Sequence, residues 1–381
     1  MHYLDNAATT PLDPLVAEDL ARSQRDSWGN PSSLHPVGVA AARELSEARE
    51  LMLGMLAATS VVFTGGGTEA TNLAMRGFCR GKKGRIVVGA ADHPSVVATA
   101  RDLETEGMSV SVYPVDDKCR PKLDAFRDAL DEDVLFVSLL HGNNEVGTLL
   151  PLDGMVRMVR EHAPRAHLHV DGVQAFCKVP LDVERLGVDS ITLAAHKIHG
   201  PKGVGALALG HRHQPRPVMT GGGQENGLRC GTENVCGNRA FARAAELWIS
   251  NMHETSGHVQ SLRDRVQRGL VDAIDDVEVL GDPDARLPHI LCLAIRRVRG
   301  EVVMHHLEEN GIYVSTGSAC ASSSRAKANT GSHVLEAMQL PQELINGTLR
   351  ISFGRLNTDA DADAVLQAMP AVVEQLRALG V

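Results

Sequence analysis

Apolar runs alternate with amphipathic stretches along most of this chain, and that alternation narrows the fold more than any other feature. The strand-like runs are Val61–Thr64, Arg85–Gly89, Ser109–Val115, Val134–Leu140, His167–Asp171, Ser190–Ala195 and Val204–Leu209. Helical patterns lie between most of them, for example Thr68–Cys79, Ser95–Glu106, Leu123–Leu130 and Leu152–Glu161. Parallel strands need a crossover, and a helix is the usual one. The runs are nearly continuously apolar, as strands are when both sheet faces are covered. The expected class is α/β: a mostly parallel seven-stranded sheet with helices on both faces.

A long helical stretch follows, from about Glu233 to about Ile274, and the pattern then changes. Val277–Leu280, His289–Arg297, Tyr313–Thr316 and Thr348–Phe353 alternate with helices near Glu301–Asn310, Ser332–Met338 and Asp361–Leu379. This reads as a smaller α+β C-terminal domain. A chain of 381 residues suits two domains. Residues 13-255 are expected to form the large one, and residues 1-12 with 256-381 the small one. The stretch Ala319–Asn329 is rich in Ser and Ala, carries Arg325 and Lys327, and reads as a mobile loop rather than a linker.

Composition enters through what it excludes. Lys and Arg number 38 against 47 Asp and Glu, a formal charge of −9, so no basic surplus points to direct nucleic-acid binding. No apolar run approaches the ~18 residues of a spanning helix. The start, Met1-His2-Tyr3-Leu4-Asp5, lacks the pattern of a signal peptide. Seven cysteines without a C-x-x-C pair fit reduced thiols better than a disulfide framework. Together these predict a cytoplasmic protein with no membrane partner. Among 17 histidines, His167-x-His169, His211-x-His213 and His305-His306 are the metal candidates; none has zinc-protease or zinc-finger spacing, so no catalytic metal is expected.

Ligands of open α/β sheets bind at the carboxyl ends of strands. Here those ends carry Gly65-Gly66-Gly67-Thr68-Glu69, then Asp92-His93-Pro94, His141-Gly142-Asn143-Asn144-Glu145, Asp171 with Gln174, and His196-Lys197. Each has a plainer reading. The glycines form a helix-entry turn, His93 and Asp171 cap helices, and Lys197 is a solvated loop lysine. Taken together they suggest pyridoxal phosphate, which needs a lysine for an imine, an acid for its ring nitrogen and a helix start for its phosphate.

Further segments carry a family resemblance. They are Tyr3-Leu4-Asp5-Asn6-Ala7-Ala8-Thr9-Thr10, Gly29-Asn30-Pro31-Ser32-Ser33, Gly66-Gly67-Thr68-Glu69, Asn143-Asn144-Glu145-Val146-Gly147, His196-Lys197 with Gly200-Pro201-Lys202-Gly203, Gly221-Gly222-Gly223-Gln224-Glu225, Arg229-Cys230-Gly231-Thr232-Glu233-Asn234, Ser318-Ala319-Cys320 and Arg350-Ile351-Ser352-Phe353-Gly354-Arg355. In this order the chain resembles NifS/IscS-type cysteine desulfurases, pyridoxal-phosphate enzymes of the class V aminotransferase, fold-type I group. The resemblance spans Tyr3 to Arg355, nearly the whole chain.

The resemblance implies roles. Lys197 is the cofactor-bearing lysine and moves the substrate proton; Lys202 is the rival. Asp171 pairs with the ring nitrogen. His93 stacks on the ring and acts as an acid or base. Asn144 and Gln174 bond the ring hydroxyl. Gly67, Thr68 and His196 cradle the phosphate, and Thr232 reaches it across a homodimer interface. Arg350, helped by Asn30, grips the carboxylate of L-cysteine, with Arg355 as a competing, structural arginine. Cys320 takes the sulfur as a persulfide and passes it to an acceptor protein, an iron–sulfur scaffold or a tRNA sulfurtransferase. The stretch between Cys320 and Val334 is longer than in IscS-type members and resembles a long-loop subgroup. One departure is Ala194, where the family commonly has a phosphate-binding serine; Thr192 is the possible substitute on the same strand face. Selenocysteine lyase is the alternative activity on the same scaffold, and a partner-binding scaffold with little turnover is a third reading.

Overall fold

The structure, a computed structural model, describes residues 1–316 and 332–380. Cys320, Arg325, Lys327 and the expected loop around them lie outside the described residues. The strands are β1 (His2–Tyr3), β2 (Ser60–Thr64), β3 (Arg85–Gly89), β4 (Ser109–Tyr113), β5 (Val134–Leu140), β6 (His167–Asp171), β7 (Ser190–Ala194), β8 (Gly205–Leu209), β9 (Val277–Leu280), β10 (Ile290–Ile295), β11 (Ile312–Tyr313) and β12 (Thr348–Ser352).

Seven of them form one sheet in the order β2-β8-β7-β6-β5-β3-β4. Within it β3 pairs parallel with β4 and β5, and β5–β6 and β6–β7 are also parallel. Only β8 runs against its neighbours, β2 and β7. The other six strands therefore point the same way, and their carboxyl ends share one edge. This makes the strand-end reading geometric: Gly65, Asp92, Asn143, Asp171 and Lys197 all follow strands that finish on that edge.

The sheet is covered on both faces. Strands β6, β7 and β8 are buried throughout. Strand β4 departs from this, with Val112 55% exposed. It is one of the sheet's two edge strands, paired on one side only. A second sheet, β12-β10-β9, is antiparallel, and β1 pairs with β11.

Helix ends follow capping chemistry. Asp13 caps Pro14–Asp26, accepting from the Leu15 amide, with Pro14 at the first turn where its missing N–H costs nothing. Thr358 and Asp361 form a capping box on Asp359–Leu379. The stretch 233–274 is two helices, Val235–Ile249 and Met252–Ala273. Ser250 turns its hydroxyl onto the Glu246 carbonyl and Asn251 leaves helical geometry, the local backbone competition that favours a break at such residues.

Candidate active site

Lys197 closes a single 3-10 turn, Ala195–Lys197, directly after β7. Its Nζ donates to the carbonyls of Ala7 at 2.6 Å and Ala8 at 2.7 Å. The same N-terminal segment is held by Thr10, whose amide and hydroxyl both donate to the His196 carbonyl. His196 Nδ1 meets Thr9 Oγ1 at 3.2 Å. Burial pushes the His196 imidazole down to about 4, so it is neutral at physiological pH.

Asp171 ends β6 and is buried, with one carboxylate oxygen accepting from the Val173 amide at 3.0 Å. Burial pushes its carboxyl above the usual range, while His93 and Lys197 pull it back. His93 is pushed below the usual imidazole range by burial, and Asp171 opposes that shift. These three groups thus feel one another's charge. His93 is also the N-cap of the helix Pro94–Thr105, its Nδ1 accepting from the Ser95 amide at 3.1 Å. The capping and the site readings of His93 are both met: a ring accepting through Nδ1 carries its neutral-form proton on Nε2.

Gln174 is buried and donates to the Ala7 carbonyl at 2.9 Å, while its Oε1 faces His289 Nε2 at 3.2 Å. Asn144 is half-buried, and its carbonyl accepts from Arg350 at 2.8 Å. Arg350, on β12, reaches Asp5 with its other terminal nitrogen at 2.7 Å, and among the described residues its Nε has no partner. Arg355 instead pairs with Asp13, the buried cap of the first helix, and its amide donates to His199. Arg355 thus ties the C-terminal region to the first helix.

Gly66 and Gly67 open the helix Gly67–Cys79, and no side chain caps it. Gly66 has φ +153°, a conformation L side chains rarely adopt. A cleft of about 670 Å³ lies at this helix start, lined by Thr9, Gly66, Gly67, Thr68, His196 and Lys202. Uncapped amides beside a lysine suit a phosphate. Thr9 carried no role in the sequence reading, although its motif was recognisable. Thr192 does not replace the missing serine: its hydroxyl is committed to His169 Nε2 at 3.2 Å and Thr71 Oγ1 at 3.3 Å.

Lys178 is a group the sequence reading missed. It is buried, its Nζ donates to the Lys197 carbonyl at 3.0 Å, and burial pushes its ammonium down to about 7. Nothing in the segment Cys177-Lys178-Val179-Pro180 signals this. Thr232 and Asn30 are exposed. Asn30 accepts from the Ser32 amide, and among the described residues no hydrogen bond joins it to Arg350. Of the described cysteines, burial pushes the Cys79 and Cys292 thiols up to about 12 and raises Cys119 and Cys177 as well. Such thiols are poor nucleophiles.

A lysine, an acid and an uncapped helix start gathered on one edge of this sheet define a fold-type I pyridoxal-phosphate enzyme. The chain belongs to the aminotransferase class-V family, whose model matches residues 2–365. It is 41% identical over 383 residues to a protein named cysteine desulfurase from Cereibacter sphaeroides, covering 99% of this chain and 97% of that relative. A solved structure described as a NifS-like protein is 33% identical, with a TM-score of 0.91 and coverage of 98% of this chain and 99% of its own. A structure described as "SspA in complex with cysteine" is 28% identical, with a TM-score of 0.81, covering 94% and 100% of the two chains.

The donor set fits pyridoxal phosphate. An amine stands at one strand end and a buried carboxylate at the next, and the cleft at the helix start is floored by glycine. A Cβ at Gly67 would sit 3.1 Å from Val173 Cγ2, against the loop that follows Asp171.

The Arg350 geometry yields a first prediction. Arg350→Lys keeps the charge but cannot span Asp5 and the Asn144 carbonyl together. KM for L-cysteine should rise about tenfold, the scale of one charge-assisted hydrogen bond, with kcat changed less. Steady-state kinetics check this split.

Proposed function

We propose that the protein is a cysteine desulfurase that converts L-cysteine to L-alanine and passes the sulfur, as a Cys320 persulfide, to an acceptor protein. The observation that carries this reading is the meeting of Lys197 and Asp171 on the sheet edge where the helix Gly67–Cys79 starts uncapped. The relatives' names supply the substrate class.

In this reading Lys197 holds the cofactor, and Asp171, Gln174, Asn144 and His93 surround its ring. Gly67, Thr68, His196 and Lys202 hold its phosphate. The bound cofactor supplies an electrophilic carbonyl and a protonated ring that accepts an electron pair. Arg350 then orients the substrate carboxylate. The Lys197 amine takes the proton from the substrate Cα. The Cys320 thiolate attacks the substrate sulfur, so that an S–S bond forms as the Cβ–S bond breaks. The bond pair passes to Cβ, which takes up a proton, the Lys197 ammonium returns a proton to Cα, and alanine leaves. Lys178 holds the Lys197 carbonyl and fixes the direction of the catalytic side chain.

Thr232 is exposed on the segment before the helix Val235–Ile249, a position from which a second copy's phosphate site can be completed; the proposed assembly is a homodimer. Among the described residues no helix is long and apolar enough to cross a membrane, consistent with a cytoplasmic enzyme serving iron–sulfur assembly or tRNA thiolation.

The test is mass spectrometry of the holoenzyme after L-cysteine. Alanine should accumulate, and Cys320 should gain one sulfur that a thiol reductant removes. Alanine formation without added sulfur on Cys320 would refute the persulfide route.

A further inference from the structure

A second cluster lies at the opposite, amino edge of the large sheet. His167 begins β6, Asp189 directly precedes β7, and His213 follows the end of the antiparallel β8. His167 Nδ1, Asp189 Oδ1 and His213 Nδ1 are each buried and, among the described residues, without a hydrogen-bond partner. One ligand atom from each of the three residues lies within 4.8 Å of the other two, and His213 Nδ1 stands 3.8 Å from Asp189 Oδ1. His167 and Asp189 are fully buried. Three buried polar atoms left unsatisfied so close together are costly in a folded core.

We propose that His167, Asp189 and His213 form a binding site for a divalent late first-row transition metal ion of the zinc type, separate from the catalytic edge. Two imidazoles and one carboxylate are a zinc donor set. Ligands about 2.1 Å from a tetrahedral ion stand about 3.4 Å apart, so from a spread of up to 4.8 Å a closure of at most about 1.4 Å forms the site.

The surrounding bonds orient the ligands. His167 Nε2 meets Ser190 Oγ at 2.8 Å, and the same hydroxyl meets His169 Nδ1 at 2.8 Å. His169 Nε2 continues to Thr192 Oγ1. These bonds accommodate the tautomer the proposal requires, in which His167 Nε2 donates to Ser190 and Nδ1 keeps its lone pair for a metal. An outer partner on the far nitrogen is how metal-bound histidines are usually fixed.

Asp189 is held by its other oxygen, which accepts from the Leu168 amide at 2.7 Å and Arg160 at 3.0 Å. Of the remaining cations, Arg212 stands 4.0 Å from Oδ1 on an exposed side chain, and Lys82 is drawn onto the Phe78 ring, 3.4 Å from its centroid. Both can turn to solvent as a cation enters. The rival occupant is one buried water, which three such groups can also hold.

The experiment titrates the full-length holoenzyme with cobalt(II), then displaces it with zinc(II). The expected result is one cobalt per chain, with d–d bands beyond the cofactor's absorption and no thiolate charge-transfer band. His213→Ala, at a half-buried position, should weaken binding by about tenfold or more, whereas His211→Ala, exposed two residues away, should not change it. Zinc should raise the Tm of the wild type and of His211→Ala but not of His213→Ala. No binding, a thiolate band, or equal binding by His213→Ala would overturn the proposal and leave water as the occupant.

Discussion

Lys197→Ala is expected to lower L-cysteine turnover by about 10³-fold or more and to remove the visible absorbance of the lysine-bound cofactor. The amine does two jobs in the proposed reaction, covalent attachment and proton transfer at the substrate Cα, and either alone is worth orders of magnitude. The structure also says that the variant folds. Lys197 Nζ bonds the Ala7 and Ala8 carbonyls, but Ala7 keeps its bond from Gln174. The N-terminal segment stays pinned by the two Thr10 bonds to the His196 carbonyl and by the His199 amide donating to Thr10. Of the two carbonyls that Lys197 Nζ bonds, Ala8 is the one left without that donor, a cost of about 1–3 kcal/mol if no water replaces it. Absorbance spectra, alanine release and thermal melts measured together separate lost chemistry from lost fold. Turnover within tenfold of the wild type would move the catalytic role to Lys202.

The sheet and its reactive edge were legible because they depend on pattern. A buried strand is a short apolar run, and the polar residue that ends it can be read off. Direction is not in the pattern: Val204–Leu209 looks like its neighbours, yet β8 runs against both. Alternation gives a face but not where a hydroxyl points. Thr192 does share the face of Ala194, its methyl 3.6 Å from a Cβ built on Gly67, but its oxygen turns to His169 and Thr71. Lys178 was illegible for a different reason. Its burial depends on Trp248, whose ring lies 5.7 Å from Nζ, and on the Lys197 carbonyl, both contacts between distant stretches of chain. The cluster at His167 shows the same limit. His-x-His spacing shows that His167 and His169 share a face, but the partners Asp189 and His213 come from two other connections.

Cys320→Ala is expected to lower alanine formation from L-cysteine by about 10³-fold or more while leaving the cofactor's absorbance intact. Reach leads to this residue, and burial weighs against four of the other cysteines. Burial holds the thiols of Cys79, Cys119, Cys177 and Cys292 above their ordinary values, so they resist forming the thiolate that sulfur transfer needs. Cys320 stands four residues beyond Thr316 in the sequence. Whatever path the chain takes, that span holds the two Cα atoms within about 14 Å. Ser315 is fixed to the site, exchanging backbone hydrogen bonds with Arg350. On the far side, Ser332 bonds Glu145 and His333 bonds the Asp92 carbonyl, next to His93. The segment carrying Cys320 thus leaves from beside Arg350 and returns beside His93. Selenocysteine provides the control, since selenium is the better leaving group and needs no thiol to accept it. If Cys320→Ala loses both alanine from cysteine and the added sulfur, the thiol is the acceptor. If the wild type turns over selenocysteine alone, and Cys320→Ala matches it, the enzyme is a selenocysteine lyase and the desulfurase reading fails.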